Sequence, residues 1–317
     1  MNGGLLVDKP AGATSHDIVV RIRKITRIRR VGHAGTLDPF ATGLLVVCLG
    51  KATRLTQYLV GLDKEYVATV RLGFATDTQD ATGQQITPCR SSNGLTELNI
   101  ASVVEGMVGD QLQIPPMYSA KKVGGERLYR AARQGREVDR EAVAIRIHEA
   151  EMIRGRQSAL TQAEDGTAEF QVRIRCSSGT YIRTWAHDLG VRLGVGGHLK
   201  ALRRTAVGSF GIDSAHSVEE IGEQFENGRG AAVVVSASDL VAHLSVLSLD
   251  EGKCRRVVNG VALESKDYEH REKLRLCNAR GELIAVGEMD TGRGVIRPQV
   301  VIGTESDLGT SSKNTLG

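Results

Sequence analysis

Gly32-His33-Ala34-Gly35-Thr36-Leu37-Asp38-Pro39-Phe40-Ala41-Thr42-Gly43 runs directly into Leu44-Leu45-Val46-Val47-Cys48-Leu49, joining a small-residue loop to an unbroken apolar run. An apolar run of this length, bounded by glycines, predicts a strand covered on both faces. The sheet that holds it must therefore be packed on two sides. Pro39 disfavours the α region for the residue before it, and glycines at 32, 35 and 43 permit positive φ or close backbone approach. Asp38 is thus expected on a bent loop at the mouth of a buried strand. An isolated Asp-Pro is ordinarily a turn whose carboxylate caps nearby N–H groups, so a chemical role for Asp38 has to come from its surroundings.

Upstream, Ile18, Val19, Ile22 and Ile25 recur at helical spacing, with Ser15 as the expected N-cap. The polar face of that helix is basic, and Arg27, Arg29 and Arg30 carry the charge towards the glycine loop. The first fifty residues hold seven Lys or Arg against three Asp, so the net charge of +4 over 317 residues is concentrated here. Such a face suits a polyanion.

Downstream, a short helix is expected around Lys51 to Leu59, then a half-buried strand over Tyr66–Leu72. The polar loop Thr76–Gly83 carries Asp77 and Asp80 but lacks the full oxygen set and terminal glutamate of a calcium loop, so no metal site is expected. Residues 97 to 108 read as a helix. Ile114 to Tyr129 is dense in Lys, Arg and Tyr, a mix that suits nucleotide stacking and phosphate pairing. A polar hairpin loop is expected at 155–167, and the strand Phe170–Cys176 should turn Phe170, Val172, Ile174 and Cys176 to the core. Gly194–Thr205 is glycine-rich and basic, yet it has neither P-loop nor Rossmann spacing, so no nucleotide cofactor is indicated. Residues 213 to 235 read as linker-like. Short strands at 257–260, 274–277, 282–287 and 295–302 then predict a small β domain.

With 41% hydrophobic residues the chain can bury a large core, as one large domain or two. The five cysteines show no C-x-x-C spacing and read as reduced thiols. No window approaches eighteen uninterrupted apolar residues, and the amino end lacks the order of a secretory signal. The expectation is a cytoplasmic protein, neither membrane-spanning nor exported.

Six blocks, in order, resemble the TruB family of pseudouridine synthases, the bacterial tRNA pseudouridine(55) synthases. They are Lys9-Pro10-Ala11-Gly12-Ala13-Thr14-Ser15, the Gly32–Gly43 loop, Lys64-Glu65-Tyr66, Pro115-Pro116-Met117-Tyr118-Ser119-Ala120-Lys121, Gly179-Thr180-Tyr181-Ile182-Arg183, and Leu202-Arg203-Arg204-Thr205. The resemblance covers residues 4 to about 211 and continues more weakly into a PUA-like segment. It implies an α+β pseudouridine synthase fold, with a mixed, mainly antiparallel sheet and flanking helices around an RNA-binding cleft. The implied domains are a catalytic unit over 1–230, with an RNA-gripping insertion at about 115–140, and a PUA-like RNA-binding unit over 236–303. A disordered tail is expected over 304–317.

The implied activity is isomerisation of the T-loop uridine of tRNA by base flipping, without a cofactor, a metal or an obligate protein partner, by a monomer. By resemblance, Asp38 is the nucleophile, Arg183 its charge partner, and Tyr66 the stacking aromatic and candidate general base. The same resemblance places His33, Tyr66, Tyr181, Leu202, Lys9, Lys64, Arg203 and Arg204 against the substrate, with Arg203 and Arg204 facing phosphate. A guanidinium beside a buried carboxylate favours its ionised form. Ser178 stands where a lysine is common, Trp185 where a smaller residue is usual, and the 155–167 loop is long, departures that bear on affinity. Two other readings share the Asp motif: a guide-RNA-dependent synthase and a non-catalytic RNA-binding module.

Overall fold

The computed structural model describes residues 1–119, 121–154, 158–265 and 267–304. The continuous path of its eleven-stranded main sheet is built from β1 (Gly3–Lys9), β2 (Thr42–Leu49), β3 (Lys64–Leu72), β4 (Gly109–Gln113), β5 (Val143–Ile153), β6 (Ala168–Cys176), β7 (Gly197–Val207) and β8 (Val235–Ser236). They lie in the order β8-β1-β2-β7-β3-β6-β5-β4. All neighbours are antiparallel except β2 and β7, which run parallel where Arg203 and Arg204 meet Thr42 and Gly43. A Cβ at Gly43 would stand 2.3 Å from the Arg204 carbonyl oxygen, so this crossing requires glycine.

As the unbroken apolar run predicts, β2 is buried along nearly its whole length. β3 alternates strictly between buried and half-buried residues. Phe170, Val172, Ile174 and Cys176 all face the core, as their alternation requires. One apolar cluster joins this sheet face to α2 (Glu97–Glu105) and α3 (Ile182–Arg192), where Trp185 fills space beneath the strands. A second lies between β1, β2 and two helices, α1 (Ser15–Thr26) and α4 (Val218–Glu226).

Three sequence expectations fail here, each for a local reason. The cap of α1 is Thr14, which exchanges hydrogen bonds with Asp17 in a capping box, and Ser15 is buried instead. The linker-like stretch contains α4, whose own capping box joins Ser217 and Glu220 and whose Val218 and Ile221 pack towards α1. Residues 257–260 are not a strand: Val257 and Val258 end the helix α5 (Glu251–Val258), capped by Asp250.

Within the expected 155–167 loop, Leu160–Gln162 pairs with β6; residues 155–157 lie outside the described residues, as do 305–317 of the expected tail. The carboxyl-terminal part holds a five-stranded sheet of β9 (Ser245–Ser248), β10 (Leu263–Glu264), β11 (Lys273–Cys277), β12 (Leu283–Asp290) and β13 (Val295–Val301). It shares an apolar cluster with the main sheet through Leu240, Cys277, Leu283 and Val300. Arg54 also donates to the Val301 carbonyl at 2.9 Å. Among the described residues no helix is long and apolar enough to cross a membrane.

Candidate active site

Asp38 is held from both sides by the stretch from the end of β1 to the start of α1. The Ser15 hydroxyl accepts from the Leu37 amide at 2.9 Å and donates to the Leu37 carbonyl at 3.2 Å. On the other flank, the Pro39 carbonyl accepts from the Gly12 amide at 2.8 Å and from Lys9 Nζ at 3.3 Å. The residue between them therefore has little freedom, which is what a reacting group needs. Removing the hydroxyl in Ser15→Ala leaves buried backbone groups without partners and is expected to lower stability by about 1–3 kcal/mol. It should also slow turnover more than it weakens RNA binding, checked by thermal melting and single-turnover rates.

Arg183 enters from the first turn of α3. Its Nε donates to Asp38 Oδ2 at 2.8 Å and its Nη2 to Oδ1 at 3.1 Å, a bidentate pair between residues 145 positions apart. The remaining donors reach the Thr78 carbonyl at 3.1 Å and the Tyr118 carbonyl at 2.8 Å. The Arg183 side chain is 4% exposed and that of Asp38 34%, so the carboxylate faces the open side. Asp80 stands 3.7 Å from Arg183 Nε and is also buried. It accepts from the Thr78 hydroxyl and from the Thr82 amide and hydroxyl. The loop dismissed as a cation site thus supplies a second carboxylate to the guanidinium. From the sequence Ser15 reads as a helix cap and Asp80 as part of a rejected cation loop, and neither as part of the site, since their partners here lie far away in the chain. Among the described residues no cluster of His, Cys, Asp or Glu could hold a metal ion.

Burial pushes the Asp38 carboxyl above the ordinary aspartate range, Arg183 pulls it back, and Asp80 adds to the upward push. The net direction is upward, opposite to the sequence expectation for an arginine-paired carboxylate, because burial outweighs the pair. The cavity in front of Asp38 holds about 270 Å³ and is lined by Lys64, Tyr66, Tyr181, Arg183, Leu202 and Arg204, among others. Strand register explains the grouping. Arg204 lies beside Tyr66 and Leu202 beside Ala68 on the β7–β3 ladder, while Cys176 lies beside Lys64 on β6. Tyr181 is clamped by Gln113, which accepts from its amide at 2.8 Å and donates to its carbonyl at 3.0 Å. Burial raises the Tyr66 phenol, with Arg204 opposing.

Two cations expected against the substrate are buried and turned to main-chain carbonyls. Lys9 is fully buried; its Nζ donates to the Pro10, Ala13 and Pro39 carbonyls, and burial lowers it to about 8. Arg204 is 1% exposed and donates to the Leu44 carbonyl at 2.7 Å and the Gly35 carbonyl at 3.2 Å, so it braces the Asp38 loop. Buried main-chain carbonyls need donors, and these cations supply them. Arg203 is half-exposed and makes a bidentate pair with Asp8 at 2.7 and 3.1 Å. Lys64 lines the cavity, but its Nζ donates to the Val60 and Leu62 carbonyls, and burial lowers it to about 8. His33 lies outside the cavity lining, half-buried on the short strand Val31–His33, and burial lowers its imidazole.

The architecture is that of the pseudouridine synthases. A chain from the crystal structure of a Cbf5-Nop10-Gar1 complex superposes with a TM-score of 0.74 at 24% identity, covering 96% of this chain and 86% of that one. The family model of the TruB family pseudouridylate synthase N-terminal domain matches residues 23–182, and that of the tRNA pseudouridylate synthase B C-terminal domain matches 183–237. A tRNA pseudouridine synthase B of Bacillus cytotoxicus is 36% identical over 97% of this chain and 99% of its own length. One of Opitutus terrae is 50% identical over 70% of this chain and 87% of its own. The chain belongs to the TruB family of pseudouridylate synthases.

Proposed function

We propose that the protein converts the uridine at position 55, in the T loop of tRNA, to pseudouridine, with Asp38 as the nucleophile. The observation that carries this reading is the bidentate Asp38–Arg183 pair at the floor of a cavity sized for one nucleotide and walled by Tyr66 and Leu202. The target base leaves the stack and enters the cavity, where Tyr66 replaces the lost stacking. The carboxylate bonds to C1′ as the N1–C1′ bond breaks, the base turns, C5 bonds to C1′ as the carboxylate leaves, and the C5 proton passes to solvent while N1 gains one from solvent. One C1′ bond replaces another and one proton is exchanged through solvent, with no net redox change, so the reading requires no cofactor. A phenol held protonated by burial suits Tyr66 to stacking more than to taking the C5 proton.

The basic end of α1 is the docking face in this reading. Arg27, Arg29 and Arg30 are exposed, and among the described residues their side chains form no ion pair. Replacing all three by Gln should reduce the slope of log K against log salt by about 2–3, since each phosphate contact releases counterion. An unchanged slope would place the RNA elsewhere. The 115–140 segment and the five-stranded carboxyl-terminal sheet, as a PUA-like unit over 236–303, complete the grip. The protein acts as a cytoplasmic monomer without an obligate partner; its cysteines are free thiols, as a reducing compartment favours.

The test is tritium release from tRNA labelled at uridine C5. Release is expected from unmodified tRNA and not from tRNA carrying cytidine at position 55. Release only after a guide RNA is added, or tight binding without release, would replace this reading.

A further inference from the structure

One polar side chain lining the Asp38 cavity has no task in the reaction described above. Ser119 is 5% exposed, and its covered hydroxyl meets no hydrogen-bond partner among the described residues, yet it lines the cavity with Asp38, Tyr66 and Arg183. A hydroxyl buried without a partner is unfavourable and uncommon in folded proteins. A turn of this side chain into the cavity would let a group that arrives with the substrate satisfy it.

Its position says which group. The carbonyl of the preceding residue, Tyr118, accepts from Arg183 Nη2 at 2.8 Å, and the same nitrogen reaches Asp38 Oδ1 at 3.1 Å. Ser119 therefore belongs to the carboxylate–guanidinium part of the cavity. Tyr66 and Leu202, close together on the paired strands β3 and β7, form the apolar wall that suits a flat base. A carboxylate acting on the sugar must stand beside a sugar carbon, so the ribose is the part of the nucleotide nearest Asp38, Arg183 and Ser119.

We infer that the Ser119 hydroxyl hydrogen-bonds the 2′-hydroxyl of the target ribose and so helps the enzyme distinguish ribose from deoxyribose. The inference rests on the uridine-isomerising reading of the same cavity. The 2′-hydroxyl is both donor and acceptor and is the group that separates RNA from DNA at a single nucleotide. A serine hydroxyl can meet it in either sense.

The test is a binding cycle in the Asp38→Asn background, where turnover does not disturb the equilibrium, using a T-arm stem-loop with uridine or 2′-deoxyuridine at the target position. Deoxy substitution should weaken binding by about 3- to 10-fold. Adding Ser119→Ala should weaken the ribose RNA by the same factor and leave the deoxy RNA unchanged. Equal weakening of both RNAs, or of neither, overturns the assignment. Without RNA, the Ser119→Ala protein should melt at the same or a higher temperature; a lower midpoint would show that the hydroxyl has a partner inside the protein, and also overturns it. Isomerisation of the ribose stem-loop by the unmodified protein is the control. If it fails, the functional reading falls; if it succeeds while the cycle shows no coupling, only the role of Ser119 does.

Discussion

Asp38→Asn is expected to reduce tritium release by about four orders of magnitude or more, the scale on which loss of a reacting group is felt, while tRNA affinity changes only a few-fold. The amide keeps the shape of the carboxylate and can still accept from Arg183 Nε, so the loop should stay in place. Equal release from both proteins would remove Asp38 from the chemistry. The folded-state pKa of Asp38 is raised, so the folded protein binds this proton more tightly than the unfolded chain does. Stability that depends on the protonated form is present at acid pH and lost as pH rises through the raised value. Asp38→Asn should therefore melt at a higher temperature than the parent at pH 8, and the gain should shrink as pH falls. In the parent enzyme, turnover should fail on the acid side at a pH above the ordinary aspartate value, because the ionised carboxylate is the active form.

Arg183→Met is expected to cause the largest loss of stability among single changes at the site, about 3–5 kcal/mol, since removing one partner of a buried ion pair strands the other. Here two carboxylates are stranded, Asp38 and Asp80, and the Thr78 and Tyr118 carbonyls lose a donor. The Asp38 carboxyl would respond by rising further, so the destabilisation should grow as pH rises from 5 to 8, a trend that urea midpoints at several pH values can follow. Arg183→Lys keeps the charge but not the fork. It should lower the turnover rate about a hundredfold or more and leave tRNA affinity nearly unchanged. A loss of affinity without a loss of rate would make Arg183 a phosphate contact.

Much of this was legible in residue order. The apolar run 44–49, the alternation in 66–72 and 170–176 and the periodicity of 18–25 fixed elements whose stability is local in pattern, and the six ordered blocks carried the family. The helix Val218–Glu226 was also legible, in the Ser217-to-Glu220 capping box, but polar composition hid it. The roles of the cations were not legible. Lys9 reads as a substrate contact and Arg204 as a phosphate contact, whereas both are buried donors to main-chain carbonyls beside the Asp38 loop.

The sequence by itself determined that Asp38 sits on a glycine-bounded bend ahead of a fully buried strand, because pre-proline sterics and an apolar run act within a few residues. Only the tertiary structure decided what surrounds that bend. The parallel crossing of β2 with β7 brings Arg204 under the loop, the start of α3 aims Arg183 at Asp38, and the 76–83 loop adds Asp80. A charged side chain has the same letter whether it meets water or a buried carbonyl, and which it meets depends on the strand or helix that the fold lays beside it.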